Sequence, residues 1–226
     1  MARILLIETS ASTLSVALAM DGAVLAERVC REPRQQASLT APLVKEVLEA
    51  CSLRIQECDA VAVSSGPGSY TGLRVGVSTA KGLCFGASLP LIAIGTLDIL
   101  VSGAAGNSDA AFVVPMIDAR RMEVYTAVYN SDSERITPVE AKIVEGNSYD
   151  EYLSRGRVLF VGDGALKCKE VINNPNAVFQ AAEPLASNMA GLAHAAFRAG
   201  RFEDLAYFEP FYLKDFVATV SRKNLL

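Results

Sequence analysis

Hydrophobic and polar positions follow two periods along this chain, and the switches between them outline its elements. Residues 2–9 form an apolar run that ends in a polar turn at residues 10–13. Leu14, Val16, Leu18 and Met20 then alternate with smaller or polar residues, the period of a half-buried strand. Asp21-Gly22 suits a two-residue hairpin turn, and Ala23–Cys30 reads as a third strand. A chain that opens with a three-stranded antiparallel meander is neither a Rossmann nor a P-loop domain. The period becomes helical at Leu39, Leu43, Val47 and Cys51, flanked by Val44 and Leu48, with Ser38 or Thr40 expected as cap and Pro42 in the first turn. A short strand is expected at residues 60–64 and a second helix at 69–86, with Leu73, Val77, Ala80 and Cys84 on one face. Leu91–Gly95 reads as a strand, and a helix begins at residues 97–101.

The uncharged segment Gly103-Ala-Ala-Gly-Asn-Ser108 is the best candidate boundary, dividing the chain into lobes 1–105 and 106–226. Beyond it the same order recurs. Strands are expected at 112–117, 123–129 and 139–144, a helix at 148–154, a strand at Val158–Val161, a helix at 165–172, a strand at Ala177–Gln180 and a helix at 185–200 with Leu185, Met189, Leu192 and Ala196 inward. Three strands, helix, strand, helix, strand, twice over, is the element order of a duplicated ribonuclease-H-like α/β fold with mixed sheets flanked by helices. The last twenty or so residues are expected to return to the first lobe.

Composition narrows the chemistry. At 51% hydrophobic and 20% charged residues, the chain is a packed globular protein. Its single histidine, His194, excludes any metal site with two imidazoles and any catalytic triad that does not use it. His194 falls beside the last helix's apolar stripe and reads as a boundary residue. A net charge of −4 is not the footprint of a direct nucleic-acid binder. The five cysteines form no CxxC pair and read as buried small hydrophobes in a reducing cytosol. No segment has the length of a membrane span or a signal-peptide core, so a cytoplasmic location is expected.

The candidate chemistry sits in strand-to-helix turns. Ser65-Gly-Pro-Gly-Ser-Tyr-Thr-Gly-Leu-Arg-Val-Gly76 is where a phosphate could dock, yet it lacks the lysine of a P-loop and the glycine spacing of a dinucleotide fingerprint. The alternative is a structural turn with Ser69 as N-cap. Gly72, Gly76, Gly82 and Gly86 each cost about 1 kcal/mol relative to alanine inside a helix. Close approach to a neighbour offsets such a cost, whether that neighbour is the helix's own sheet or another molecule. Glu8, Ser10, Asp118, Asp163 and Gly164 are the candidate nucleotide-binding residues, against a plainer reading as turn and capping groups. Arg28, Arg31 and Arg34 form a short basic run, read as a solvated face or, more sharply, as a contact for an acidic surface or RNA backbone.

Several of these segments together resemble the TsaB (YeaZ) family: Ile7-Glu-Thr-Ser10, the Gly-Pro-Gly-Ser-Tyr-Thr-Gly-Leu-Arg stretch, Asp118-Ala-Arg120 with Glu123-Val-Tyr125, and more loosely Val161-Gly-Asp-Gly164 and Tyr212-Leu-Lys214. The resemblance implies a two-lobed actin-like protein without catalysis of its own, a partner in tRNA threonylcarbamoyladenosine synthesis. Its catalytic relative TsaD uses a His-x-x-x-His metal pair on the first helix. Here the matching positions are Gln36 and Thr40, whereas many TsaB-like sequences keep one histidine. The resemblance further implies a TsaD-like catalytic subunit and a TsaE-like ATPase as partners, tRNA reached through the complex, and a homodimer when the chain is alone. Partner-binding residues on this reading are Leu39, Leu43 and Val47 on the first helix and Tyr70, Gly72, Leu73, Gly76 and Thr79 on the second. No metal or resident cofactor is expected, with ATP or ADP conceivable at the partner interface. The alternative function is an actin-like ATP-dependent small-molecule kinase or ATPase, which needs Mg²⁺ on Glu8, Asp118 or Asp163 and a phosphate loop at residues 10–13.

Overall fold

The computed structural model describes residues 1–104 and 109–214. β1 (Arg3–Glu8), β2 (Leu14–Met20) and β3 (Ala23–Cys30) form the expected meander, turned at Asp21 and Gly22 with φ of 51° and 84°. α1 (Gln36–Ala50), β4 (Ala60–Gly66), α2 (Tyr70–Ala87) and β5 (Leu91–Gly95) follow. β4 pairs parallel with β1 and β5 with β4, giving the order β3-β2-β1-β4-β5. α3 (Thr96–Ala104) closes the first half.

The second half lays down β6 (Phe112–Asp118), β7 (Glu123–Thr126), β8 (Tyr129–Asn130) and β9 (Glu140–Ile143). Then come α4 (Asp150–Leu153), β10 (Val158–Val161), α5 (Ala165–Cys168), β11 (Ala177–Gln180) and α6 (Ala190–Arg198). The sheet order is β11-β10-β6-β7-β9, with β8 pairing beside β7 on β6. Each sheet therefore carries three antiparallel strands followed by two parallel ones, a two-lobed, duplicated ribonuclease-H-like architecture. The expected boundary between residues 105 and 106 lies outside the described residues.

Local differences from the sequence reading have identifiable causes. α1 begins at Gln36, before the apolar stripe, and neither Ser38 nor Thr40 caps it. The Ser38 hydroxyl is instead spent on the Gln35 carbonyl and side chain, and the Thr40 hydroxyl on the Gln36 carbonyl. Pro42 consequently lies inside the helix, where it removes the bond to the Ser38 carbonyl; both residues are exposed, so water can serve that oxygen. The expected strand 123–129 divides in two. The expected helices at 148–154 and 165–172 shrink to four residues each, against fifteen and eighteen for their counterparts α1 and α2. The last helix starts as a 3-10 turn, Ala186–Met189; Met189 and Ala196 of the expected stripe are buried, joined by Ala186, Ala190 and Ala193, while Leu185 and Leu192 are half-buried.

The first sheet is covered on both faces. On one, Leu5, Ile7, Val16, Val61 and Val63 meet Leu43 and Val47 of α1 and Val77 and Cys84 of α2. On the other, Ile4, Leu6, Ala62 and Ile92 meet Ala186, Met189 and Ala193. α3 does the reverse, placing Leu97, Leu100 and Val101 on Val113, Ile117, Tyr129 and Leu159 of the second sheet. Each half thus lends its last helix to the other's sheet. Side chains fasten the exchange: Ala186 N–H donates to Ser15 Oγ and Ser187 N–H to Glu27 Oε1, both at 2.8 Å, and the buried Tyr129 hydroxyl donates to Asp98 Oδ1 at 2.6 Å. All five thiols are free, and burial pushes those of Cys58 and Cys84 up to about 11, which leaves them inert as nucleophiles. Among the described residues no helix is long and apolar enough to cross a membrane.

Candidate functional site

Two places carry the chemistry-bearing residues, and they are built differently. At the first, β1 ends in Glu8-Thr9-Ser10 directly beneath the N-terminus of α2. Ser69 N–H donates to the Ser10 carbonyl at 2.7 Å, Thr9 Oγ1–H donates to the Gly72 carbonyl at 2.8 Å, and Ser69 Oγ caps α2 by accepting from Gly72 N–H. The approach is close enough to require glycine. A Cβ on Gly72 would stand 2.0 Å from the Thr9 carbonyl oxygen, and one on Gly76 2.1 Å from Thr9 Oγ1. The neighbour that offsets these two glycines is the chain's own sheet.

That packing settles where several expected residues lie. Leu43, Val47, Gly72, Leu73 and Gly76 are buried against the first lobe's core, so they are not surface contacts for a partner; the helical stripes found in the sequence are inward stripes. Leu39, Tyr70 and Thr79 are half-buried at the edges of the two helices. Gly82 and Gly86 differ from the other pair: a Cβ on either meets nothing within 4 Å. They lie on an outer ridge of α2 with Thr71, Arg74, Ser78 and Phe85, and the Phe85 side chain is 84% exposed. Alongside, α1 turns Ala37, Ala41, Pro42 and Lys45 to solvent.

Glu8 is fully buried. Its Oε1 accepts from Ser10 N–H and from the Ser10 hydroxyl, both at 2.5 Å, while Oε2 has no partner among the described residues. Burial raises its carboxyl to about 7, and the two bonds from Ser10 only partly offset that. The 10–13 loop is committed as well: Thr13 Oγ1 donates to Glu183 Oε1 at 2.8 Å, and the Ser10 amide, hydroxyl and carbonyl are all used. Gln36 Nε2 donates to the carbonyls of Ala11 and Ser12 and so ties this loop to the start of α1.

The second place is the β6–β7 turn. Asp118 N–H donates to Asp163 Oδ1 at 2.9 Å, and Lys167 Nζ donates to Asp118 Oδ1 at 2.5 Å and to the carbonyls of Arg121 and Glu123 at 2.7 Å. All three ammonium hydrogens are thereby spent. Desolvation works against the charged form of Asp118, but Lys167 and the Arg120 amide hold its carboxyl below the usual range. Partial desolvation lifts Asp163 above it. Gly164 donates its N–H to the Met116 carbonyl, and a Cβ there would press on β6 and Val124. Asp118 and Asp163 therefore come together, as the sequence reading grouped them, but Glu8 stands apart. Among the described residues no three His, Cys, Asp or Glu side chains converge.

Other side chains have plainer fates. His194 is half-buried over the Gly22 turn. Arg28 and Arg31 pair with Glu46 and Glu183 at 3.6 Å and 2.9 Å on a solvated face. The expected return of the last twenty or so residues to the first lobe is seen as far as Lys214, and residues 215–226 lie outside the described residues; what the sequence did not show is that the chain from Glu203 to Lys214 runs along α2 without regular structure. Tyr212 stacks 4.6 Å from the Tyr70 ring, Arg74 lies 4.3 Å over that same ring, Lys81 Nζ donates to the carbonyls of Ala206 and Phe208, and Lys214 pairs with Glu123.

Comparison with known proteins gives this geometry a family. The family described as TsaD: tRNA N6-adenosine threonylcarbamoyltransferase matches residues 31–220. The tRNA threonylcarbamoyladenosine biosynthesis protein TsaB of Escherichia coli is 33% identical over 224 residues, 96% of either chain, and that of Bacillus subtilis 32% over 175 residues, 76% of this chain and 75% of the other. The structure of YeaZ from Pseudomonas aeruginosa superposes with a TM-score of 0.82 at 28% identity, covering 94% of this chain and all of that one. An activator of 2-hydroxyisocaproyl-CoA dehydratase from Clostridium difficile, solved with bound ADPNP, shares the fold at a TM-score of 0.51 and 8% identity, over 88% of this chain and 96% of that one. The fold is thus the two-lobed one of actin-like ATPases. Similar to TsaB over nearly its full length and to YeaZ in fold, the chain belongs to the TsaB/YeaZ family.

Proposed function

We propose that this protein is a non-catalytic subunit in tRNA threonylcarbamoyladenosine biosynthesis, acting in the cytoplasm by docking a TsaD-like catalytic subunit on the outer faces of α1 and α2. A TsaE-like ATPase joins that assembly, tRNA is reached through it, and a second copy of the chain takes the same face when the catalytic subunit is absent. The observation that carries this reading is the outer ridge of α2. Gly82 and Gly86 each weaken the helix by about 1 kcal/mol and face open space among the described residues, while Phe85 beside them is exposed. A partner helix seated there gives the glycines their use as points of close approach and covers the aromatic ring. The commitment of Asp118 to Lys167, and the burial of Glu8, support the non-catalytic part.

Gly82→Arg and Phe85→Asp test it, since both positions are open and the monomer accommodates either change. Size-exclusion chromatography with the catalytic subunit should show co-elution of the wild type and its loss in both variants, and a tRNA modification assay omitting each component in turn should show dependence on this chain. Undiminished co-elution would remove α2 from the interface. ATP turnover by the isolated chain that disappears on Glu8→Gln would instead establish the kinase or ATPase alternative.

A further inference from the structure

The segment from Glu203 to Lys214 is fastened at points that trace the whole length of α2 and then leave it. Glu203 N–H donates to the Leu91 carbonyl beyond the helix's C-terminal end, at 2.9 Å. Leu205 and Phe208 pack on the core that α2 covers. Lys81 Nζ holds the carbonyls of Ala206 and Phe208 at 3.2 and 3.0 Å. Phe211 N–H donates to the Ser65 carbonyl at 2.7 Å, Tyr212 reaches Tyr70 at the first turn of α2, and Lys214 crosses to Glu123 in the second lobe. Twelve residues thus connect one end of the helix, the other end, and the opposite lobe.

This strap has two working sides. Phe208, Pro210 and Tyr212 line a groove of about 310 Å³ whose other wall is Arg74, Ser78 and Lys81 of α2. Phe211, between Pro210 and Tyr212, turns the other way and lines a cleft of about 430 Å³ between the lobes, where Gly66, Asp98 and Arg135 meet. Its backbone is pressed on β4: a Cβ on Gly66 would lie 2.6 Å from the Phe211 carbonyl oxygen, and Gly66 itself sits at φ +112°. The Phe211 backbone, held at Ser65 and pressed on Gly66, is thus the link between its ring in the cleft and Pro210 and Tyr212 in the groove.

We infer that the strap couples the interlobe cleft to the ridge of α2. Whatever enters or leaves the cleft at Phe211 is transmitted through Tyr212 and Tyr70 to Arg74 and Ser78. In its consequence for partner binding this rests on the docking reading above; the coupling itself is a property of the isolated chain. The attachment is suited to the role, because a strap held by a few hydrogen bonds, one ring contact, an ion pair and two partly buried apolar side chains opens at lower free energy than the core strands.

The test uses full-length Phe211→Ala, Tyr212→Ala and the double variant, followed by amide hydrogen exchange. Phe211 is 46% exposed, so its truncation leaves the fold intact, and the amides of β10 and β11 serve as the control for global opening. Coupling requires Phe211→Ala, on the cleft side, to accelerate exchange about fivefold or more in the first two turns of α2 while β10 and β11 stay unchanged. It also requires the double variant to exceed the larger single effect only marginally, since the two residues act in series. Acceleration confined to residues 65–67 and 95–98, or effects that simply add, would overturn it. A parallel titration with the catalytic subunit separates the two readings. If the wild type fails to bind but α2 still responds to Phe211→Ala, docking fails and the coupling stands; if the wild type binds and α2 does not respond, docking stands and the coupling fails.

Discussion

Glu8→Gln isolates the energetic consequence of a fully buried carboxyl. A carboxyl whose pKa is higher in the folded state binds more protons there. The stability it confers is complete below its ordinary value of 4.5 and is lost as pH rises through about 7. A shift of that size corresponds to about 3 kcal/mol, of which roughly 2–3 kcal/mol falls between pH 5 and 8. Glutamine keeps the oxygen that accepts from Ser10 and replaces Oε2, which has no partner, with an amide nitrogen. Any cost of burying that nitrogen is the same at every pH. The variant must therefore be compared by slope: urea denaturation at half-unit steps from pH 5 to 8 should show the wild type losing roughly 2–3 kcal/mol relative to Glu8→Gln, or roughly 5–10 °C in Tm. Other titrating groups, Asp118 and Asp163 among them, cancel in the difference. Parallel stability curves for the two proteins would refute the assignment of a desolvated, near-neutral pKa to Glu8.

Further outcomes follow from contacts described above. Gly76→Ala should destabilise the monomer by about 1–3 kcal/mol through its clash with Thr9, and a Thr9→Ala background should recover part of the loss; Gly82→Ala, with open space, should be neutral or slightly stabilising in the same chemical denaturation. Tyr129→Phe removes the buried bond to Asp98 and should cost about 1.5–3 kcal/mol, read by thermal or urea unfolding. Lys167→Met leaves Asp118 and two carbonyls without their cation, and NMR shifts should move at residues 118–123 while β1–β5 remain unperturbed.

Much of the architecture was legible because its strands and long helices are amphipathic in the ordinary way. The meander, Asp21-Gly22 and the Ser69 cap were all read from local pattern, and local physics decides them. Five of the residues expected to bind a partner, Leu43, Val47, Gly72, Leu73 and Gly76, are buried in the chain for an equally physical reason. Periodicity marks the stripe a helix buries, and Leu43, Val47 and Leu73 are that stripe; the surface offered to another molecule has to be sought opposite it, where Phe85 stands among small residues. Gly72 and Gly76 could not be told from Gly82 and Gly86 by sequence, since close approach to Thr9 is a long-range fact. The return of the chain's end to the first lobe was expected, but its contacts along α2 carry no period to read, and the bonds from Lys167 join residues more than forty positions apart.

The exchange of last helices bears on how the molecule is made. About ninety residues separate Ala104 from Arg198, so a ribosome adding 5–20 residues per second finishes the first five strands roughly 5–20 s before α6 exists to cover Ile4, Leu6 and Ile92. During that interval the nascent chain carries a bare apolar sheet face, an obvious target for chaperones. A gene fragment encoding residues 1–104 should accordingly yield inclusion bodies, and supplying residues 183–214 as a separate peptide should return it to solution.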